Sequence, residues 1–254
     1  MLFTNSGALL VTDFGALLFS DHTMLVDELI IDLLSKKSNC SKVLDFGAGS
    51  GTLSRLISDR FKLPVIAYEP MTEMMSVFHT LTPKSKYPEI YSVDTEGKIL
   101  ELSEHLNTII CVNVFDHILD IATTVKFFNS VLPSGGHLIL CIPHPLKNIG
   151  NWVKEKRNGI WEYLYYQLYD YLEEGEIKRN REDIDGNLII EGVVSQHRTI
   201  STYYNYIHHG GFEVIKMYEP KPDESKKYEF PMLYTQAFRI PYFWILDCVK
   251  KMTV

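Results

Sequence analysis

An α/β fold built on a mostly parallel sheet is what this 254-residue sequence predicts, and three observations predict it. Short apolar runs, among them residues 65–68 and 137–142, alternate with amphipathic segments of helical period. Strands covered by helices on both faces read in this way. A glycine cluster, Gly47-Ala48-Gly49-Ser50-Gly51, separates the first such run from the helix after it. The composition, 46% hydrophobic and 22% charged, is that of a globular domain and excludes disorder and collagen-like repeats.

The elements follow in chain order. Leu25, Leu29 and Leu33, flanked by Val26, Ile30 and Leu34, form a helical stripe that ends before Ser38 and Asn39. Residues 42–46 are the first strand, and Leu53, Leu56 and Ile57 mark the helix behind the glycines. The second strand is 65–68, and Met71, Met74, Met75 and Phe78 give the next helix its apolar face. Residues 90–93 and 108–114 read as two more strands. Ile121, Val125, Phe128 and Val131 predict a helix stopped by Pro133, and 137–142 is a further buried strand. A helix over 199–209 ends at Gly210-Gly211, and strands over 212–217 and 242–249 close the chain.

Between these halves the rhythm breaks. Residues 144–196 carry Trp152, Trp161, Tyr163, Tyr165, Tyr166, Tyr169 and Tyr171 among charges, and a hairpin is expected around the Asp185-Gly186 turn. The segment reads as an insertion within one domain spanning 1–254. Its aromatics fit a lid over a pocket, a small subdomain core or a dimer interface, so monomer and homodimer both stay open.

Net charge narrows the partners. Lys and Arg total 25 against 32 Asp and Glu, a formal charge of −7. An overall negative field disfavours nucleic acid as the main partner. Cys40, Cys111, Cys141 and Cys248 lie far apart without metal-ligand spacing, so no metal site is expected, and Cys111 and Cys141 read as buried core residues. The apolar stretch 1–21 has no basic leader and is interrupted by Asp13, and no apolar run reaches membrane-spanning length. The expectation is a cytoplasmic protein with no membrane partner.

The glycine spacing discriminates between ligands. Dinucleotide folds use GxGxxG with a pyrophosphate on the helix N-terminus. Here the spacing is GxGxG, with Asp45 two residues before Gly47. A carboxylate there is unfavourable beside a pyrophosphate and favourable beside an ammonium group. Glu69, ending the second strand, can accept both hydroxyls of a ribose.

At these residues the chain resembles the class I S-adenosylmethionine-dependent methyltransferases, whose first motif is an acidic residue followed by GxGxG. The resemblance extends to Glu69, to Asp94 after the third strand, to Asn113-Val114-Phe115-Asp116-His117 after the fourth, and to Leu132-Pro133-Ser134-Gly135-Gly136 before the fifth. It covers roughly residues 40–145 and 197–252. Asn107, where many relatives carry aspartate, is a departure at a structural position.

The resemblance implies a Rossmann-like seven-stranded sheet with an antiparallel last strand, and S-adenosyl-L-methionine as methyl donor. It implies donor contacts from Asp45, Gly47, Ala48, Gly49, Gly51, Glu69, Pro70, Asp94 and Asn113. A small-molecule acceptor, aromatic or carboxylate-bearing, would be methylated on oxygen or nitrogen. His144, after the fifth strand, is the leading base, with His117 a second. Arg198, in the pair His197-Arg198, would clamp a substrate carboxylate or close the insertion on the domain. Three rival readings are a tRNA or protein methyltransferase, a nicotinamide-dependent oxidoreductase, and a non-catalytic partner subunit of the same fold.

Overall fold

Residues 25–37, 39–182 and 188–252 are described by a computed structural model. The stretch 1–21, Ser38 and the Asp185-Gly186 turn lie outside the described residues.

A seven-stranded sheet organises the chain. Its strands are β1 (Val43–Phe46), β2 (Val65–Tyr68), β3 (Ile90–Val93), β4 (Thr108–Val112), β5 (His137–Pro143), β10 (Phe212–Tyr218) and β11 (Phe243–Lys250). Their order is β10-β11-β5-β4-β1-β2-β3, with β11 antiparallel to both neighbours and the other pairings parallel. The order reverses between β1 and β4, where open α/β sheets bind ligands at their carboxyl edge.

Helices cover both faces: α1 (Asp27–Ser35), α2 (Thr52–Phe61), α3 (Thr72–Leu81), α4 (Glu96–Leu102), α5 (Ile121–Val131) and α7 (Ile200–His209). Successive strand residues point to opposite faces. Leu44 and Phe46 therefore pack with Phe128, Tyr203 and Ile207, whereas Val43 packs with Ile30, Leu34 and Ile57. Being buried on both sides, β1 and β2 have no exposed residue to alternate with, which is why they read as unbroken apolar runs.

Several strand boundaries shift by one or two residues from expectation, and three helices are unexpected. The fourth strand stops at Val112, not 114, because Asn113 adopts φ 54°, a left-handed conformation that asparagine tolerates and that turns the chain out of the sheet. The last strand starts at Phe243. Helix α4 leaves no mark in the sequence because Ile99 is its one buried residue. Short α6 (Pro145–Asn148) and α8 (Pro231–Ala237) are equally silent.

The insertion holds two hairpins where one is expected. Strand β6 (Gly150–Arg157) pairs with β7 (Ile160–Leu168), and β8 (Gly175–Glu182) with β9 (Leu188–His197). The first hairpin has a local signal of its own. Asn158-Gly159 sits between its strands, with φ of 52° and 82°, the two positive values a type I′ turn requires. Its aromatics build a local core: Trp152 meets Tyr163 and Tyr166 edge-on at 5.6 and 5.2 Å, and Arg239 lies over the indole at 5.0 Å. Among the described residues no helix is long and apolar enough to cross a membrane, and no His, Cys, Asp and Glu cluster has metal-binding geometry.

Candidate functional site

The end of β1 and the start of α2 are held apart by the glycine loop. The N–H groups of Gly47 and Ala48 both donate to Tyr68 O at 2.8 Å, folding the loop back against the end of β2. Gly47 has φ 83°, and a Cβ there would stand 2.2 Å from Val114 Cγ2. Gly49, at φ 55°, has open space beside it, where a Cβ would meet only Met74 Cε, at 3.7 Å. One glycine is thus demanded by packing, and the other leaves a cradle that a side chain would fill.

Glu69 closes that cradle. Its Oε2 accepts the Gly49 N–H and its Oε1 the Met71 N–H, each at 2.9 Å. The side chain is buried, which raises its pKa, while the two N–H donors oppose the rise. Each carboxylate oxygen keeps a second lone pair, so the group can accept the two hydroxyls of a ribose diol without giving up the loop. Ala48 and Pro70 flank this arrangement, half-buried.

Two further carboxylates gather behind the loop. Asp45 is buried and accepts from Ser54 Oγ at 2.6 Å. Burial pushes its pKa up to about 6, against the Ser54 hydrogen bond and with Glu69 and Asp27 adding to the rise. Asp27, on α1, is also raised to about 6, by burial and then by Glu28. Asp27 is absent from the sequence-based candidates, although it shares a helix face with Ile30, Ile31 and Leu34, where a carboxylate is out of place.

Carboxyls whose folded pKa is raised favour the fold as neutral acids below pH about 4, and that contribution is lost as pH rises through about 6. The expected result is that Asp45→Asn, which keeps an acceptor for Ser54, gains about 2–3 kcal/mol over the parent between pH 4.5 and 8. Denaturant unfolding at the two pH values measures it; a constant difference would contradict the assignment.

The remaining candidates occupy the same edge in different states. Asp94 is exposed and paired with Lys98 at 2.6 Å, which holds its carboxyl below the usual range. Asn113 donates its backbone N–H to Cys141 O, tying the end of β4 to β5. His144 is buried and caps α6: Nδ1 accepts the Leu146 N–H at 3.2 Å, and Nε2 meets Glu219 Oε1 at 3.0 Å. Burial lowers its pKa against the pull of Glu219. Because Nδ1 accepts a backbone N–H, the hydrogen sits on Nε2 and points to Glu219, so both nitrogens are engaged within the protein.

Arg198 likewise faces the backbone. Its guanidinium donates to Ile118 O at 2.7 Å, Leu119 O at 3.0 Å and Phe115 O at 3.4 Å. These carbonyls belong to the turn after β4, so Arg198 fastens the exit of the insertion to the sheet, through carbonyls and not through a salt bridge. His117 makes the reciprocal contact, its Nδ1 lying 3.1 Å from Val194 O on β9. Arg198→Ala is expected to cost about 2–3 kcal/mol and to strip hydrogen-exchange protection from β8 and β9 first; uniform loss across the sheet would refute the fastening role.

Shallow recesses lined by Ser41, His105, Asn107 and Pro133 lie at the opposite, amino edge, away from all of these residues. The carboxyl edge instead brings together the Glu69 carboxylate, the open space beside Gly49 and the buried carboxyls of Asp45 and Asp27.

A sheet of this order, with a glycine loop after β1 and an acidic residue directly after β2, is an open α/β sheet with a cleft at its carboxyl edge. The family described as "Methyltransferase domain" matches residues 20–216, and the chain belongs to it: it is a methyltransferase. Solved structures share the fold. One is a putative S-adenosylmethionine-dependent methyltransferase from Listeria monocytogenes, with TM-score 0.67 and 19% identity over 87% of this chain and 97% of that one. Another, from Mesorhizobium loti, gives 0.66 and 18% over 86% and 96%. A glycopeptide N-methyltransferase complexed with S-adenosylmethionine gives 0.55 and 13% over 88% and 93%. No curated protein is similar enough in sequence to match.

Proposed function

We propose that this methyltransferase takes S-adenosyl-L-methionine as donor and methylates a small-molecule acceptor on nitrogen or oxygen, as one domain over 1–254 with residues 144–196 as its lid. The observation that carries the donor reading is the Glu69 carboxylate, fixed by the Gly49 and Met71 N–H groups at the mouth of the glycine loop. Bound there, the donor supplies an activated methyl on a sulfonium.

The chain's own part is binding, orientation and exclusion of water. Glu69 takes the ribose hydroxyls, Gly47, Ala48, Gly49 and Gly51 present the loop backbone, and Asp45 with Asp27 supplies negative charge to the amino-acid end. Asn113 and Pro70 shape the walls of the cleft. Asp94, released from Lys98, would accept a hydrogen bond from the exocyclic amine of the base. His144 and Glu219 brace the ends of β5 and β10, framing the acceptor side. The second hairpin, held by Arg198 and His117, covers the end of β4 as a lid would.

Calorimetry with S-adenosylhomocysteine, the product form of the donor, tests this. Binding in the micromolar range, weakened by Glu69→Ala, is the expected outcome; wild-type protein that ignores it would overturn the donor reading.

A further inference from the structure

Asp116 is a buried carboxylate at the carboxyl edge that neither holds the glycine loop nor fastens the insertion. It lies in the single helical turn Phe115–His117 that follows β4, and it is 5% exposed. Among the described residues nothing donates to its Oδ1, an atom cut off from solvent. A buried acceptor left in that state costs free energy that a bound donor group would recover. Its other oxygen, Oδ2, stands 3.7 Å from His117 Nε2.

The state of His117 is set from the insertion. Its Nδ1 lies 3.1 Å from the Val194 carbonyl, which can only accept, so Nδ1 carries the hydrogen. In the neutral ring Nε2 then holds a lone pair, directed to the Asp116 side, and the ring is about a third exposed. A path for a proton thus runs from a buried carboxylate through a correctly prepared imidazole to water, and it is assembled only when β9 is seated on the turn. The guanidinium of Arg198 is spent on the carbonyls of Phe115, Ile118 and Leu119, and among the described residues no Lys or Arg forms an ion pair with the carboxylate.

We propose that Asp116 is the base for the methyl acceptor, that His117 relays its proton to solvent, and that the acceptor is an amine. The proposal rests on the donor reading above. A buried carboxylate without a cationic partner favours an alkylammonium over a carboxylate or a neutral alcohol. In the step itself, the ammonium gives one proton to Asp116 Oδ1 and its freed lone pair forms the new N–CH3 bond. The CH3–S bond of the sulfonium breaks with its electron pair remaining on sulfur, which becomes a neutral thioether. The Asp116 carboxyl then turns over about its Cβ–Cγ bond to bring the protonated oxygen to the His117 side, and Nε2 takes the proton and passes it to water.

The test uses the full chain saturated with S-adenosylhomocysteine, titrated with phenethylamine, 2-phenylethanol and phenylacetate. The amine is expected to bind in preference to the other two and to lose about tenfold or more in affinity in Asp116→Asn, while S-adenosylhomocysteine affinity stays within about twofold. Nitrogen-15 NMR of the imidazoles supplies a readout independent of that variant's folding: neutral His117 is expected as the Nδ1–H tautomer. Preference for phenylacetate or the alcohol, no amine binding by protein that holds S-adenosylhomocysteine, an unaffected Asp116→Asn, or the Nε2–H tautomer each overturns the proposal. Failure of wild type to bind S-adenosylhomocysteine would instead strike the donor reading beneath it.

Discussion

Gly47→Ala is expected to lower the stability of the domain by about 2–5 kcal/mol and to weaken donor binding by about tenfold or more. Two costs add. An alanine held at φ 83° sits in the left-handed region, at about 1–2 kcal/mol. Its Cβ would also stand 2.2 Å from Val114 Cγ2, so Val114, buried beside the end of β4, must move, at about 1–3 kcal/mol. Movement there reaches the turn that carries Asp116 and the loop that carries Gly49, so binding falls with stability. For a chain of this length the melting temperature should drop by roughly 5–15 °C. Gly97→Ala is the control. It lies in α4 with nothing within 4 Å of the added carbon, and it is expected to raise stability by about 0.5–1 kcal/mol. Thermal unfolding of the two variants checks the contrast, and equal behaviour would contradict it.

Glu69→Ala should leave the fold standing and remove most of the donor affinity. The alanine loses the two acceptors for a ribose diol and, at the same time, the acceptors for the Gly49 and Met71 N–H groups that set the loop. Charge-assisted hydrogen bonds of this kind are worth about 1.5–3 kcal/mol each, so losing both to the diol is expected to cost more than about 100-fold in affinity. Glu69→Gln keeps one oxygen and should fall between. An alanine variant that folds as wild type but binds the donor equally well would remove Glu69 from the site. A second signature is pH: burial raises the Glu69 carboxyl, so its hydroxyl-accepting form is lost earlier on acidification than for an exposed glutamate, and affinity should decline with falling pH.

What is legible in advance follows from where each residue gets its partners. The strands β1, β2 and β3 are close to readable by the residue because burial on both faces of β1 and β2 leaves little ambiguity of pattern. The glycine loop and Glu69 are legible because backbone conformation and a strand end specify them locally. Helix α4 is not, since one buried isoleucine is too little periodicity to detect. Arg198 and His117 show the other limit. Their partners lie some eighty positions away, at Ile118 and at Val194. The sequence therefore leaves Arg198 open between a substrate clamp and a closure of the insertion and offers His117 as a base, and only the fold shows which backbone carbonyls they meet. His144 repeats the lesson: the Glu219 that occupies its Nε2 is 75 positions distant. Asp27 is the opposite case, a carboxylate on an apolar helix face whose signal is local and open to view.

That the glycine loop and Glu69 hold a sulfonium nucleoside and not a dinucleotide is tested most directly by calorimetric titration of the wild-type chain with S-adenosylmethionine, with NADH as the competitor class. Micromolar binding of S-adenosylmethionine with no heat from NADH is the predicted result. Binding of NADH, or silence toward S-adenosylmethionine, would contradict it.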